Sequence, residues 1–153
     1  KNIYYSKMSQ GGGIVHDALS HHINLITYFA GKIEKIKKTE LKLSYKDIQV
    51  NDTAILTIFF KKNKLGLIFG NQFQKPNIDE VEFIGTKKNL VFNRIDNKLY
   101  ISDDKKKLMR VFNEKYDDLF KRQVSSFLLC KKKRTQPKTT IKEEFENLSK
   151  LEV

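Results

Sequence analysis

The residues of this chain best placed to do chemistry lie in GGGIVHDALSHHINLITYFAG, residues 11–31, where three glycines precede one aspartate and three histidines in an otherwise apolar run. Asp17 and His21 are four residues apart. On a helix that spacing puts them on one face, one turn apart and within hydrogen-bonding reach. A carboxylate so placed can orient an imidazole and fix its tautomer, which suits a general acid/base near neutral pH. The same spacing also describes a helix-surface ion pair contributing a few tenths of a kcal/mol, and spacing alone favours that plainer reading. Location favours chemistry: the pair sits in the first turns of a mostly apolar helix that begins at glycines, where close approach of another surface is already provided for.

Other chemistries fit less well. A dinucleotide-binding turn needs G-x-G-x-x-G after a strand, whereas Gly11, Gly12 and Gly13 are contiguous and nothing upstream reads as a strand of adequate length. A metal site would draw on His16, His21 or His22 with Asp17. On an α-helix His16 and His21 point about 140° apart, and the adjacent His21 and His22 diverge as well, so no metal is expected. The single cysteine, Cys130, excludes a disulfide within the chain and leaves too few thiols for a structural zinc site.

The elements that must position these groups follow from periodicity. Ile14, Val15, Leu19, Ile23, Ile26 and Phe29 recur at helical steps, and Gly31 stands where a helix stops. Strands are expected over Ile33–Tyr45, Thr53–Lys61 and Lys64–Phe73, the last two joined by a turn at Lys62 and Asn63. Shorter strands follow at Val81–Ile84, Leu90–Asn93, Leu99–Ser102 and Leu108–Phe112, separated by turn residues. Two helices close the chain: Asp117–Lys131, and Thr140–Leu151, where Thr140 and Glu143 form a capping box. Pro137 separates them. Sequential strands with tight turns favour an antiparallel meander. The expected fold class is therefore α+β, a large, mainly antiparallel open sheet with helices packed on one face. The other sheet face, with Ile55, Thr57 and Phe59 or their neighbours, is left open and suggests a subunit interface.

Composition bounds the function. With 153 residues, 39% of them hydrophobic and 31% charged, the chain is expected to fold as one globular unit. No apolar run is long enough to span a bilayer, and KNIYYSKMSQ lacks the layout of a signal peptide, so a soluble cytoplasmic protein is expected. The net charge of +12 first suggests a nucleic-acid-binding domain, with Lys105–Lys107 and Lys131–Arg134 as phosphate contacts. Against it, the excess is lysine rather than arginine, and it is scattered along the chain in short clusters. Tyr4 and Tyr5 sit in a short extended-looking piece with nothing before it to pair with, which suggests the tail portion of something longer.

The stretch G-G-G-I-V-H-D-A-L-S-H-H-I-N-L, with Tyr28-Phe29-Ala30-Gly31 after it, resembles the G-G-G-x-x-x-D-x-x-x-H-x-x-D signature that opens the substrate domain of the Gfo/Idh/MocA (glucose-fructose oxidoreductase/inositol dehydrogenase) family. Val50-Asn51-Asp52-Thr53-Ala54 and Ile84-Gly85-Thr86-Lys87-Lys88-Asn89-Leu90 resemble two further strand junctions of that family. The resemblance implies a single C-terminal substrate-binding and oligomerisation domain over 1–153, cut from an N-terminal Rossmann domain that carries the cofactor fingerprint and a Glu-Lys-Pro motif. It implies a homodimer or homotetramer formed through the open sheet face. The implied activity is NAD- or NADP-dependent oxidation or reduction of a sugar, polyol or related small hydroxylated molecule, with no metal and with the cofactor held mainly by the missing domain. This chain by itself would then be inactive. His21 matches the family's acid/base histidine, and Asp17 the aspartate that positions substrate and histidine. Two positions depart from the pattern: Leu19, where many members have glycine, and Asn24, which replaces the usual aspartate, carries no charge, and so leaves open a non-catalytic scaffold or sensor. His22, Asn24 and Gln72 are candidate substrate contacts. Asn71 and Lys75 are polar neighbours of Gln72 that read equally as a solvated loop.

Overall fold

The computed structural model describes Lys7, Ser9 and residues 11–43 and 49–151. Tyr4, Tyr5 and Tyr45 fall outside the described residues. The chain divides into two compact units, one made of residues 1–73 and 136–153 and the other of residues 74–135.

In the first unit a π-helical turn, Val15–Leu19, runs into the α-helix α1, Ser20–Ala30, and three strands follow: β1 (Ile33–Leu41), β2 (Thr53–Phe60) and β3 (Lys64–Asn71). They form one antiparallel sheet in the order β1-β2-β3. β-Branched and aromatic residues make β2 a strand whose Ala54, Leu56, Ile58 and Phe60 are buried, while Ile55 on the other face is exposed. In β1 a register shift between Ile33 and Lys35 breaks the alternation, so Ile33 and Ile36, three apart, both point into the core. The hairpin loop joining β2 to β3 places both Lys62 and Asn63 at positive φ, as a tight turn between twisted strands requires.

The π turn and α1 lie on the buried face of this sheet. Their seat is Gly70 of β3: a Cβ there would stand 2.7 Å from Leu19 Cδ2 and 3.3 Å from Ile14 Cδ1. Lacking a side chain, β3 lets the helix settle directly onto its backbone. Ile14, Leu19 and Ile23 then pack with Leu56, Ile58 and Ile68 into one apolar core. The short helix α3 (Ile141–Leu148), with its terminal 3₁₀ turn Ser149–Leu151, also belongs to this unit. Leu151 is buried in the core, and Lys150 donates to the Ile33 carbonyl at 2.7 Å. The expected capping box is present, Thr140 accepting from the Glu143 N–H while the Glu143 carboxylate accepts from the Thr140 N–H.

The second unit is a four-stranded antiparallel meander, β4 (Glu80–Ile84), β5 (Asn89–Asn93), β6 (Lys98–Ser102) and β7 (Lys107–Val111), followed by α2 (Tyr116–Lys133). The α+β class and the antiparallel pairing are those expected. The seven strands, however, are hydrogen-bonded as two ladders rather than one. Of the three helices expected to cover a sheet face, α2 buries none of its residues. A periodic pattern marks strands but does not say where neighbours stop pairing.

Gly70→Ala is expected to destabilise the protein by about 1–3 kcal/mol, the usual penalty for overpacking a filled core, because Leu19 is itself buried and cannot swing away. Denaturant unfolding of the variant measures this, and an unchanged midpoint would mean that the helix does not rest on β3 as described.

Candidate functional site

The glycine turn that opens the helix is held by the junction between β1 and β2. Gly11 and Gly13 have φ of 74° and 103°, a region open to glycine and strained for other residues. The Ile14 N–H donates to the Asn51 carbonyl at 3.2 Å, and the Gly12 N–H to the Lys7 carbonyl at 3.0 Å. These are the donors a pyrophosphate would need at a helix start. Since protein carbonyls already take them, and a Cβ on Gly13 would already lie 3.7 Å from Val50 Cβ, the turn does not fit the phosphates of a dinucleotide.

Asp52 organises the same junction. Its side chain is 1% exposed, and its carboxylate accepts from the Leu43 N–H and the Thr53 hydroxyl, both at 3.0 Å. Its N–H donates to the Leu41 carbonyl, and its own carbonyl accepts from the Gln72 N–H. One buried residue thus ties together the end of β1, the start of β2 and the end of β3, beside the turn that launches the helix. A buried polar side chain is tolerated when hydrogen-bonded in this way.

The helix then carries the candidate groups outward. The Ser20 N–H donates to the Val15 carbonyl, an i→i+5 bond that makes Val15–Leu19 a π turn. Such single wide turns recur at functional sites. The wide turn also changes the wheel, so the 140° separation of His16 and His21 expected of an α-helix does not apply unchanged across this segment. Among the described residues no three of His, Cys, Asp or Glu gather as a metal site. Asp17 is half-buried within the π turn, and His21 is exposed at the start of α1. His22 is half-buried, its Nδ1 donating to the Ala18 carbonyl at 3.2 Å, which fixes that nitrogen as the protonated one. Asn24 lies half-buried one turn beyond His21. Gln72 is exposed and anchored at the junction through its backbone. The structure thus strings Asp17, His21 and Asn24 along the π turn and α1 at steps of four and three residues, with Gln72 just past the end of β3 and bonded to the Asp52 carbonyl.

Beyond Asn24 a groove of about 420 Å³ runs between α1 and α3, lined by Asn24, Thr27 and Tyr28 on one side and Glu143, Glu146 and Asn147 on the other. Lys32 pairs with Glu146 at 3.5 Å, and Lys138 sits 5.8 Å from the centre of the Tyr28 ring. Glu143 is held below the ordinary carboxylate value by the Thr140 N–H and hydroxyl. Glu144 behaves oppositely: burial pushes its carboxyl up, and the His21 imidazole pulls it partly back. Sequence patterning did not single out Glu144. The signal was present as its step of three and four residues from Asn147 and Leu148.

Asp52→Ala is expected to cost about 1–3 kcal/mol, because it strands the buried Thr53 hydroxyl and removes the acceptor of the Leu43 N–H. Thermal and denaturant unfolding report it, and a loss within ±0.5 kcal/mol would show that the junction holds without its carboxylate.

The comparisons with known proteins come from sequence and from shape. No curated protein matches the chain. In shape it is similar to a structure described as an NADPH-dependent oxidoreductase of Desulfitobacterium hafniense, with TM-score 0.80, 13% identity, and coverage of 97% of this chain and 46% of that one. It is also similar to UDP-N-acetylglucosamine 3-dehydrogenase GnnA of Acidithiobacillus ferrooxidans, with TM-score 0.78, 11% identity, and 92% and 45% coverage. A third similar structure is the WlbA dehydrogenase of Bordetella pertussis, solved with NADH and UDP-GlcNAcA, with TM-score 0.69, 17% identity, and 98% and 45% coverage. The chain spans less than half the length of each of these structures, and at such identities they establish the fold. The sequence pattern of the GFO/IDH/MocA C-terminal domain matches residues 1–91, and the chain belongs to that family.

Proposed function

We propose that this chain is the substrate-binding and oligomerisation domain of an oxidoreductase that uses NAD or NADP on a sugar, polyol or related hydroxylated molecule. The observation that carries the reading is the continuous helical segment that holds Asp17 and His21 four residues apart, launched from a glycine turn bonded to the Asn51 carbonyl. Family membership supports it, as do the UDP-sugar names of two structural neighbours. Hydride acceptance is assigned to a nicotinamide held outside these residues, because the N–H groups of Gly12 and Ile14 in the glycine turn are already bonded to protein carbonyls.

Within the chain, His21 takes the proton of the substrate hydroxyl as the alcohol is oxidised, and returns it in the reverse direction. Its exposure leaves the imidazole open to a substrate. Asp17 orients that imidazole and stabilises it when charged. Asn24, His22 and Gln72 are the substrate-side groups, Asn24 offering both a donor and an acceptor where the family's pattern usually has a carboxylate. Hydroxyl-rich ligands need paired donors and acceptors of this kind.

The open face of the β1-β2-β3 sheet joins a second copy of the chain. Leu65, Leu67 and Phe69 are 69%, 70% and 57% exposed there, opposite Phe59, Thr57 and Ile55 on β2. A contiguous apolar strand face of this kind is a subunit contact rather than a solvated surface.

His21→Ala in the full-length protein is expected to lower turnover about a hundredfold or more, assayed with UDP-N-acetylglucosamine and UDP-GlcNAcA as probes together with NAD⁺ or NADP⁺. Full activity in that variant would remove His21 from the chemistry. Light scattering is expected to give a dimer or larger, and Leu67→Lys to shift it toward monomer; a strict monomer in the unaltered protein contradicts the assembly.

A further inference from the structure

We propose that the groove between α1 and α3 is a binding site for a neutral, polyhydroxylated small molecule, a saccharide unit or a polyol. The assignment does not rest on the chemistry given to His21.

Its starting point is a buried amide. Asn147 is 6% exposed, on a short helix whose apolar Ile141 and Phe145 stand in solvent. Its side chain lines the groove and takes part in no hydrogen bond among the described residues. An amide carries two donors on its nitrogen and an acceptor on its oxygen, and taking these from water without partners costs free energy. A leucine of similar volume carries no such cost. A ligand that both gives and accepts hydrogen bonds at this point supplies the partners the fold leaves out.

Across the groove α1 presents groups of the same kind. Asn24 is half-buried and brings a second amide without a hydrogen-bond partner among the described residues. The Thr27 hydroxyl donates to the Ile23 carbonyl at 2.7 Å, so its oxygen is left to act as an acceptor. The Tyr28 ring, 53% exposed, adds an apolar surface against which ring C–H groups can rest. A volume of about 420 Å³ lies within the range of small-ligand sites.

Charge then selects among polar ligands. Two ammonium groups, Lys32 and Lys138, and two carboxylates, Glu143 and Glu146, line the groove, so their formal charges cancel. Lys32 is paired with Glu146 at 3.5 Å, and Lys138 stands 5.8 Å from the centre of the Tyr28 ring. The Thr140 N–H and hydroxyl hold the Glu143 carboxyl below its ordinary value and keep it ionised. An anion entering here would have to compete for an engaged lysine and approach two carboxylates. A cation would meet two ammonium groups, and an apolar molecule would leave both amides unmatched. Hydroxyl groups are donor and acceptor in one atom, and two on adjacent carbons reach the nitrogen and the oxygen of a single amide.

The test uses the full-length protein labelled with ¹⁵N at asparagine side chains, without cofactor. D-glucose or D-mannitol is expected to bind saturably and to shift the Asn24 and Asn147 amide signals. Asn147→Leu and Tyr28→Ala are each expected to weaken that binding about tenfold or more. Asn147→Leu is also expected to leave the melting temperature equal or higher, whereas an amide kept for the fold would lower it on removal. Tyr28→Ala changes a half-exposed ring, so it reads binding even where the buried substitution disturbs folding. The proposal is overturned when neither sugar shifts the amide signals, when both variants bind as the unaltered protein does, or when phosphate or uridine occupies the groove in place of the sugars. The acid/base reading stands or falls separately on turnover in His21→Ala, since this titration involves no turnover.

Discussion

The seat of one helix on one strand governs everything else in the first unit. Gly70 has no side chain, so Leu19 and Ile14 descend to the backbone of β3 and the rest of the helix is levelled against Leu56, Ile58 and Ile68. Van der Waals attraction falls steeply with distance, so a side chain at Gly70 would lift the helix and forfeit contacts along its whole length. The far side of the helix is then placed by default. Asp17 and His21 are aimed by the burial of Leu19 and Ile23, residues that do no chemistry.

The two ends of that helix are fastened by different forces. At the N-terminal end the constraint is polar: Asn51 takes the Ile14 N–H, and Asp52 satisfies donors from two neighbouring strand ends. At the C-terminal end Gly31 adopts positive φ and donates to the Thr27 carbonyl, while Lys64 reaches the Ala30 carbonyl at 2.6 Å. Between these anchors the π turn runs into α1, and Ile14, Val15, Leu19 and Ile23 are all buried along the two.

Much of this was legible in the residues, and the parts that were not share one cause. The helix over 14–31, the β2–β3 hairpin and the capping box at Thr140 depend on neighbours in sequence, so their signals are local. The π turn depends on where Gly70 lies in space, which no window of the helix contains. The split into two ladders depends on which strand edges meet, and the alternation in β3 and β4 is the same whether or not they pair. α3 misleads for a related reason: Ile141 and Phe145 are its apolar residues four apart, yet they are 91% and 73% exposed, while the polar Asn147 is buried. The candidate pair Asp17 and His21 was readable because both lie on one helical segment; the groove between α1 and α3 was not, because its two sides come from segments more than a hundred residues apart.

That contrast bears on how such a site can vary. Two residues carried on a single helix keep their spacing through any change that leaves the helix seated, so the candidate pair Asp17 and His21 is insulated from drift in the sheet. Contributions from α3 are different: they need only helical phase and proximity, and a carboxylate can be gained or lost there without disturbing the core, since Glu144 adds nothing to apolar packing. Asn24 belongs to the same variable layer, being on the dyad's helix yet lining the groove that α3 closes.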